Sequence, residues 1–234
     1  MNKFIFSILA LIFLTQHLLA DRRNYIWTYQ YTTMPQGMTE LEFYQTTRLA
    51  DTDFWEYRIE VEQGLTNRMD ISVYQIFSQF EDAPFQWDAV QLRTRYRFGE
   101  TGSYFMDPLI YLEYRRNLDF SDPNKLELKF VLAKQMNAVN LALNPVYEIY
   151  FAPGVEHETG LDAGISYEIS PRLVIGAEST SRIEFEDSKT EIGSYLGPTI
   201  SLASGQWWYT FGAAFGITED SDNARVRFIM GVHL

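Results

Sequence analysis

The sequence has no cysteine and, beyond its first twenty residues, no long apolar run. Without cysteine, the 234-residue chain has no disulfide, no thiolate metal site and no attachment point for a lipoprotein anchor. A membrane-spanning helix needs roughly 20 consecutive apolar residues, so the rest of the chain has no such helix. Basic residues are also few. The 19 Lys and Arg against 31 Asp and Glu give a net charge of -12, which excludes nucleic acid as a partner because phosphate binding needs a basic surface.

The first twenty residues have the pattern of a secretory signal peptide. Lys3 supplies the charged start, an apolar run extends from Phe4 to Leu14, and Ala20 suits the last position before a cleavage site. The sequence therefore predicts a cleaved signal peptide over residues 1–20, a mature chain beginning at Asp21, and export towards the bacterial outer membrane.

Aromatic residues are abundant, with 15 Tyr, 17 Phe and 5 Trp, while the mean hydropathy is only -0.20. Many aromatics without helical spans are typical of a transmembrane barrel that alternates lipid-facing and water-facing residues. Trp55, Trp87, Tyr96 and Trp207 lie near the ends of predicted strands, as in the aromatic girdles of such barrels. Composition alone also fits a soluble β-sandwich.

Apolar residues at every second position dominate the chain after residue 38. About twelve segments alternate in this way, most are long enough to cross a bilayer, and nearly all carry charges on their second face. Soluble sandwiches rarely show this combination. The pattern predicts an all-β fold over residues 38–234, a transmembrane antiparallel up-and-down β-barrel of about 12 strands. Pro145 and Pro198 fall inside strands, where a bulge or kink is expected.

Residues 25–31 also alternate, but a thirteenth strand would break the even count of an up-and-down barrel. We interpret residues 21–37 as an N-terminal lead-in or a periplasmic plug. The last segment ends on its apolar face at Leu234, which resembles the C-terminal signal of outer-membrane proteins. It predicts the barrel-assembly machinery as a partner. Acidic links between strands predict an outer surface next to lipids and lipopolysaccharide, either solvated or bridged to phosphates by divalent cations.

Charged residues on the water-facing side are the candidate functional residues. Arg93, Arg95 and Arg97 form a basic ladder on one strand, and closing the barrel suggests that Arg225 and Arg227 pair with Glu40 and Glu42. One interpretation is a transverse field across an open pore; the other is a closed, salt-bridged interior. The predicted lumen-lining residues are Arg93, Arg95, Arg97, Arg115, Arg225, Arg227, Glu40, Glu42, Glu56 and Glu60.

Groups suited to catalysis are scarce. Beyond the predicted signal peptide the only histidines are His157 and His233, and neither has an evident Ser-His-Asn arrangement. No phosphate-binding loop or zinc-ligand spacing is present either. The sequence therefore predicts a protein that is not an enzyme and that needs no cofactor or metal. An enzyme that modifies outer-membrane lipids remains the second alternative function.

Two stretches resemble known families. Residues 60–71 resemble a hairpin of transporter-like outer-membrane proteins, including the MetA-pathway phenol-degradation type, in which an acidic strand is followed by Gly-Leu-Thr-Asn-Arg and an apolar strand. Residues 29–37, followed by 40–42, resemble the start of an uncharacterised porin-like family. The resemblance implies a barrel without a known substrate and without functional residues to transfer. We expect a porin-like channel for passive passage of small solutes, or alternatively a structural or surface-interaction barrel with a closed lumen.

Overall fold

The computed structural model describes residues 22–49, 54–80, 83–151, 155–186 and 189–234. The predicted signal peptide, residues 1–20, lies outside this part, as do parts of several acidic links. Among the described residues there is no helix with the length and apolarity to cross a membrane.

Twelve antiparallel strands form one closed barrel in which each strand pairs with its neighbours in the chain and β1 pairs with β12. The prediction of an all-β, up-and-down barrel with 12 strands is therefore confirmed. The strands are β1 (Thr39–Arg48), β2 (Trp55–Thr66), β3 (Met69–Gln79), β4 (Gln86–Arg97), β5 (Asp107–Asn117), β6 (Asn124–Met136), β7 (Val139–Phe151), β8 (Val155–Ser170), β9 (Leu173–Glu186), β10 (Lys189–Ser204), β11 (Trp207–Gly216) and β12 (Ala224–His233).

The two faces of the wall follow the alternation of the sequence. On β3, Val73 is 43% exposed on the outside, whereas its neighbour Tyr74 is 2% exposed in the lumen. Successive side chains of a strand point to opposite faces, so each strand places apolar residues towards lipid and polar residues inside. Exposed aromatics such as Trp55, Trp87 and Trp207 stand at strand ends, where a headgroup girdle is expected.

The two ends of the barrel differ in their connections. At the end where β1 begins, four connections are two-residue turns, at 67–68, 137–138, 171–172 and 205–206. We call this the turn end and the opposite one the loop end. Asn137 and Gly205 adopt positive φ angles of 53° and 63°, which lets these turns reverse the chain within two residues.

Of the bulge or kink expected at Pro145 and Pro198, the structure shows no bulge at either position. Pro145 pairs with Leu161 and Pro198 with Ala177, in the register that holds on both sides of each proline. Within the described strands, the register shifts instead lie between Gly64 and Thr66, between Ile76 and Phe77, and between Glu168 and Ser170. With the other neighbouring strand, the pairing is interrupted at each proline and resumes in the same register, because proline has no N–H to donate.

Residues 22–37 precede β1 and run through the barrel interior, outside the strand ladder, with Pro35, Gln36 and Gly37 exposed at their end. Tyr25 and Ile26 are fully buried, and two apolar clusters join them to the inner wall. Ile26 packs in the cluster that includes Tyr44 and Trp208, and Tyr25 packs in the cluster that includes Tyr111. The segment therefore forms part of the core of the lumen.

Candidate functional site in the barrel lumen

The inner segment, residues 22–37, is held by wall side chains through its backbone. The carboxylate of Glu178 on β9 accepts the backbone N–H groups of three successive residues, Ile26 at 2.8 Å, Trp27 at 2.9 Å and Thr28 at 2.8 Å. Hydrogen bonds to a charged acceptor are stronger than neutral ones. Glu178 is therefore the main anchor of the segment.

Other wall residues fix the segment at further points. Asn144 on β7 makes a pair of hydrogen bonds with Tyr29, accepting its N–H at 2.6 Å and donating to its carbonyl at 3.0 Å. Asp70 on β3 accepts the N–H of Met34 at 3.0 Å. These three partners are side chains, and the segment also donates a backbone hydrogen bond to the wall, from Gly37 to the carbonyl of Gly64 at 3.0 Å.

Glycines on the inner face make room for this segment. A Cβ atom at Gly164 would lie 2.5 Å from the ring of Tyr25, and one at Gly212 would lie 2.7 Å from Cγ1 of Ile26. At Gly64 a Cβ atom would lie 2.0 Å from the carbonyl oxygen of Pro35. Larger side chains at these positions would collide with the segment as it is placed here.

One group of predicted lumen residues forms a buried ion-pair network beside the segment. Arg93, 1% exposed, contacts Glu60 at 2.8 Å and also contacts Glu62. Arg95 contacts Glu62 and lies 2.6 Å from Asp70. Although the carboxylate oxygens of Glu42, Glu60 and Glu62 lie within 4.8 Å of one another, these guanidinium groups neutralise much of their charge. This level of the lumen matches the closed, salt-bridged alternative.

Above this level, towards the loop end, the lumen opens into a chamber of about 380 Å³. A second cavity of about 460 Å³ lies at the turn end, lined by residues such as Gln135 and Pro171. The two cavities share no lining residue, and residues of the inner segment line both. The segment therefore separates the described lumen into two compartments.

Charge is unevenly distributed around the loop-end chamber, which nine basic and six acidic residues line. Five arginines come from the inner segment and from the adjacent strands β12, β1 and β2, and we call them the arginine wall. They are Arg23, Arg48, Arg58, Arg225 and Arg227. The opposite side, β5 to β10, supplies Glu113, Glu127, Glu158, Glu184 and Glu191 together with Arg115, Lys125, Lys129 and Arg182. This separation corresponds to the transverse-field alternative.

The expected pairing of Arg225 and Arg227 with Glu40 and Glu42 is wrong. Because β1 and β12 are antiparallel, Glu40 at the turn end faces His233, whereas Arg227 faces Thr46 and Arg225 faces Arg48. Nε2 of His233 lies 2.6 Å from the carboxylate of Glu40. Arg225 instead contacts Asp222 at 2.7 Å.

The other predicted lumen residues lie at three levels. Glu42 lies beside the buried network, where its carboxylate accepts a hydrogen bond from the Tyr44 hydroxyl at 2.6 Å. Glu56 is near the loop end, 2.8 Å from Arg58 and 3.9 Å from Arg115. Arg97 is near the turn end, where it donates to Thr33 of the inner segment at 2.9 Å and to the carbonyl of Asn67.

Sequence reasoning missed the anchors Glu178 and Asn144. Both belong to the polar face of an alternating strand, so the sequence predicts that their side chains point into the lumen. Alternation does not indicate that they bind a segment inside the barrel. The available indication is the apolar run ahead of β1, which includes Tyr25 and Ile26, both fully buried in the structure.

The closed ring of strands, the apolar outer face and the charged lumen define a porin-like outer-membrane β-barrel. A family described only as a family of unknown function (DUF6662) matches residues 124–224. No curated protein matches the sequence. The family match does not include residues 60–71, so the finer resemblance to the MetA-pathway type stays a prediction.

Solved structures of outer-membrane channels share the fold. The COG4313 outer membrane channel from Pseudomonas putida F1 is similar with a TM-score of 0.67 and 11% identity, over 90% of this chain and 100% of that one. The NanC porin has a TM-score of 0.59 and 12% identity, over 82% and 98%. The KdgM porin in complex with disordered oligogalacturonate has a TM-score of 0.58 and 12% identity, over 83% and 97%. At these identities the similarity establishes the fold.

Proposed function

We propose that this protein is an outer-membrane channel for small solutes, closed in the present conformation by residues 22–37 acting as a plug. The observation that carries the proposal is the attachment of this segment mainly through wall side chains, with Glu178, Asn144 and Asp70 accepting its backbone N–H groups. A backbone hydrogen bond from Gly37 to Gly64 holds it at the turn end, where it leads into β1. A segment that only fills the lumen does not need an attachment that can be released while the barrel stays folded. The chambers on both sides of the plug also support a solute path.

A closed structural barrel is the alternative function, and the buried pairs of Arg93 and Arg95 favour it. Those pairs occupy one side of the lumen, on β2 to β4, whereas the plug fills the space beside them. The two functions therefore differ in one consequence: only a channel conducts once the plug is displaced.

We also propose that the protein is not an enzyme. His157, on the outer face near the loop end, contacts the Tyr147 hydroxyl at 2.7 Å through Nδ1 and stacks on its ring. A serine nucleophile paired with this histidine is not found among the described residues. The contact with tyrosine suits an aromatic girdle position rather than acyl transfer to lipid.

A reversible lock on the plug tests the channel proposal, and the absence of cysteine makes the chemistry specific. The Cβ position of Gly212 lies 2.7 Å from Cγ1 of Ile26. In the double variant Ile26→Cys and Gly212→Cys, the two Cβ atoms therefore lie within roughly 4.2 Å, in the range of a disulfide. We expect the planar-bilayer conductance of this variant to be minimal after oxidation and to rise on reduction. The conductance of the wild type should be the same with and without the reductant.

The single-cysteine variants Ile26→Cys and Gly212→Cys are the matched controls, since neither can form the intramolecular lock. Conductance that is equal before and after reduction of the double variant contradicts gating by the segment. If a variant lacking residues 22–36 folds, shown by heat-modifiable gel migration, and still does not conduct, the closed structural barrel is the correct function.

Assembly-machinery recognition and contact with lipopolysaccharide are further proposals. The outward residues of β12, including Phe228, Met230 and Val232, supply the apolar pattern, and exposed Leu234 follows them. Replacing Phe228 and Val232 by Asp puts charges on the lipid face and is expected to lower the outer-membrane yield several-fold in cell fractionation. The matched change Arg225→Asp, on the inner face of the same strand, should preserve the yield. Equal yields for the two variants would contradict recognition through this face.

A further inference from the structure

The arginine wall has more positive charge than its carboxylates balance. Glu56 contacts both Arg58 and Arg115, and it is also the carboxylate that attracts Arg227. Arg227 is repelled by Arg58 and Arg23. One carboxylate therefore serves three arginines at this point of the chamber. Charges held away from bulk water are stable only when they are paired.

Two arginines of the wall contact neutral groups where an ion pair would be expected. Nε of Arg227 donates to the Thr46 hydroxyl at 2.7 Å. The guanidinium of Arg23 donates to the Tyr44 hydroxyl at 3.0 Å. Neither makes a salt bridge with any carboxylate that the structure describes, and the strongest attraction on Arg23 from a carboxylate comes from Glu42 without direct contact. Guanidinium groups carry five donors in a planar fork suited to carboxylate and phosphate oxygens, so both side chains keep donors available for a ligand.

Aromatic rings of the plug lie directly beside these two arginines. The guanidinium carbon of Arg23 is 4.4 Å from the ring centre of Tyr29, and that of Arg227 is 5.5 Å from Trp27. Both rings and both arginines line the loop-end chamber, whose volume of about 380 Å³ suits a small organic ligand. The site therefore combines available cationic donors with flat apolar surfaces.

We propose that this corner of the chamber binds a small anionic solute that carries a carboxylate or phosphate group and an apolar face. Arg227 and Arg58 hold the anionic group from the wall, Arg23 holds it from the plug, and the rings of Trp27 and Tyr29 pack against the rest of the ligand. The inference rests on the proposed function for its role in transport, and it names the substrate class of the channel. The binding itself does not depend on conductance.

The composition of the site also predicts a coupling. Since Arg23, Trp27 and Tyr29 belong to the plug while Arg58 and Arg227 belong to the wall, the full site exists only with the plug in place. A ligand that binds one arrangement more tightly shifts the equilibrium towards it. The anion therefore stabilises the closed arrangement, and it leaves when the plug moves.

Calorimetric titration of the refolded full chain with benzoate tests the site, with inorganic phosphate as an anion without an apolar face and benzamide as a neutral analogue. We expect benzoate to bind and benzamide not to bind. Arg227→Gln and Arg23→Gln should each weaken benzoate binding by about tenfold, the loss expected for one charge-assisted hydrogen bond. Arg97→Gln is the matched control, because Arg97 is a lumen arginine near the turn end that also contacts neutral oxygens.

Heat-modifiable migration of each variant verifies that the barrel has folded. Absence of benzoate binding by the wild type, or an equal loss in Arg97→Gln, overturns the proposal. The channel proposal fails separately. If the disulfide lock gates conductance and benzoate does not bind, only the anion site is wrong; if benzoate binds and the lock does not gate conductance, only the channel function is wrong.

Discussion

Replacing Arg93 by Met is expected to lower the free energy of unfolding by about 3–5 kcal/mol, the usual cost of removing one partner from a buried ion pair. The substitution leaves Glu60 without its 2.8 Å partner and removes one of the two guanidinium contacts of Glu62. Methionine fills a similar space, so the loss is electrostatic. Urea unfolding of the folded barrel, followed through gel migration without heating, measures the change.

The exposed pair formed by Arg68 and Glu100, 2.7 Å apart, provides the matched control. The same substitution, Arg68→Met, removes an equally close ion pair in contact with water, where such pairs contribute little. Its stability should stay near that of the wild type. Adding Glu60→Gln and Glu62→Gln to Arg93→Met should recover part of the loss. If Arg93→Met is as stable as Arg68→Met, the buried pairs of Arg93 contribute no net stability to the barrel.

Removing the anchor of the plug, by Glu178→Ala, is expected to raise the conducting fraction by about tenfold to a hundredfold. The carboxylate accepts three backbone N–H groups, and hydrogen bonds to a charged group contribute about 1.5–3 kcal/mol each, of which water recovers a share in the open state. The predicted range corresponds to a net loss of about 1.4–2.8 kcal/mol. Single-channel recording gives the open fraction directly.

Thr180→Ala is the control for this substitution, because Thr180 is the next inward-facing residue of β9 and lines the chamber without a hydrogen bond to the plug. It should leave the open fraction unchanged. If Glu178→Ala and Thr180→Ala conduct alike, the attachment through Glu178 does not control the pore. Combining Glu178→Ala with the oxidised cysteine pair at residues 26 and 212 should restore the closed state, which separates release of the plug from damage to the wall.

The barrel could be predicted from the sequence because alternation specifies which face of a strand each residue occupies. Asp70, Arg93 and Glu113 all fall on the inner face that this rule assigns. The level of each residue along the barrel could not be obtained in the same way. Pairing between β1 and β12 depends on register, which brought His233 rather than Arg227 to Glu40. A register shift of two residues between neighbouring strands leaves every side chain on the same face. Alternation therefore does not indicate which residues of β1 and β12 lie opposite each other.

The functional residues of the chamber depend on contacts across the lumen and were predicted only as a set of charges. Arg227 was identified as inward-facing, but its pairing with Trp27 of the plug requires the path of residues 22–37. That path is not periodic, because it follows the space between opposite walls. Its fixed points, Glu178, Asn144 and Asp70, come from three strands that are distant in the sequence.

Two of those fixed points, Asp70 on β3 and Glu178 on β9, belong to strands six positions apart in a ring of twelve. Such strands stand diametrically opposite each other, so the plug spans the full width of the barrel and ties one side to the other. A tie across a diameter resists flattening of the cross-section from round to oval. If residues 22–37 leave the lumen as proposed, the barrel also loses this mechanical brace, and the empty barrel is expected to be the more compliant of the two states under lateral pressure from the membrane.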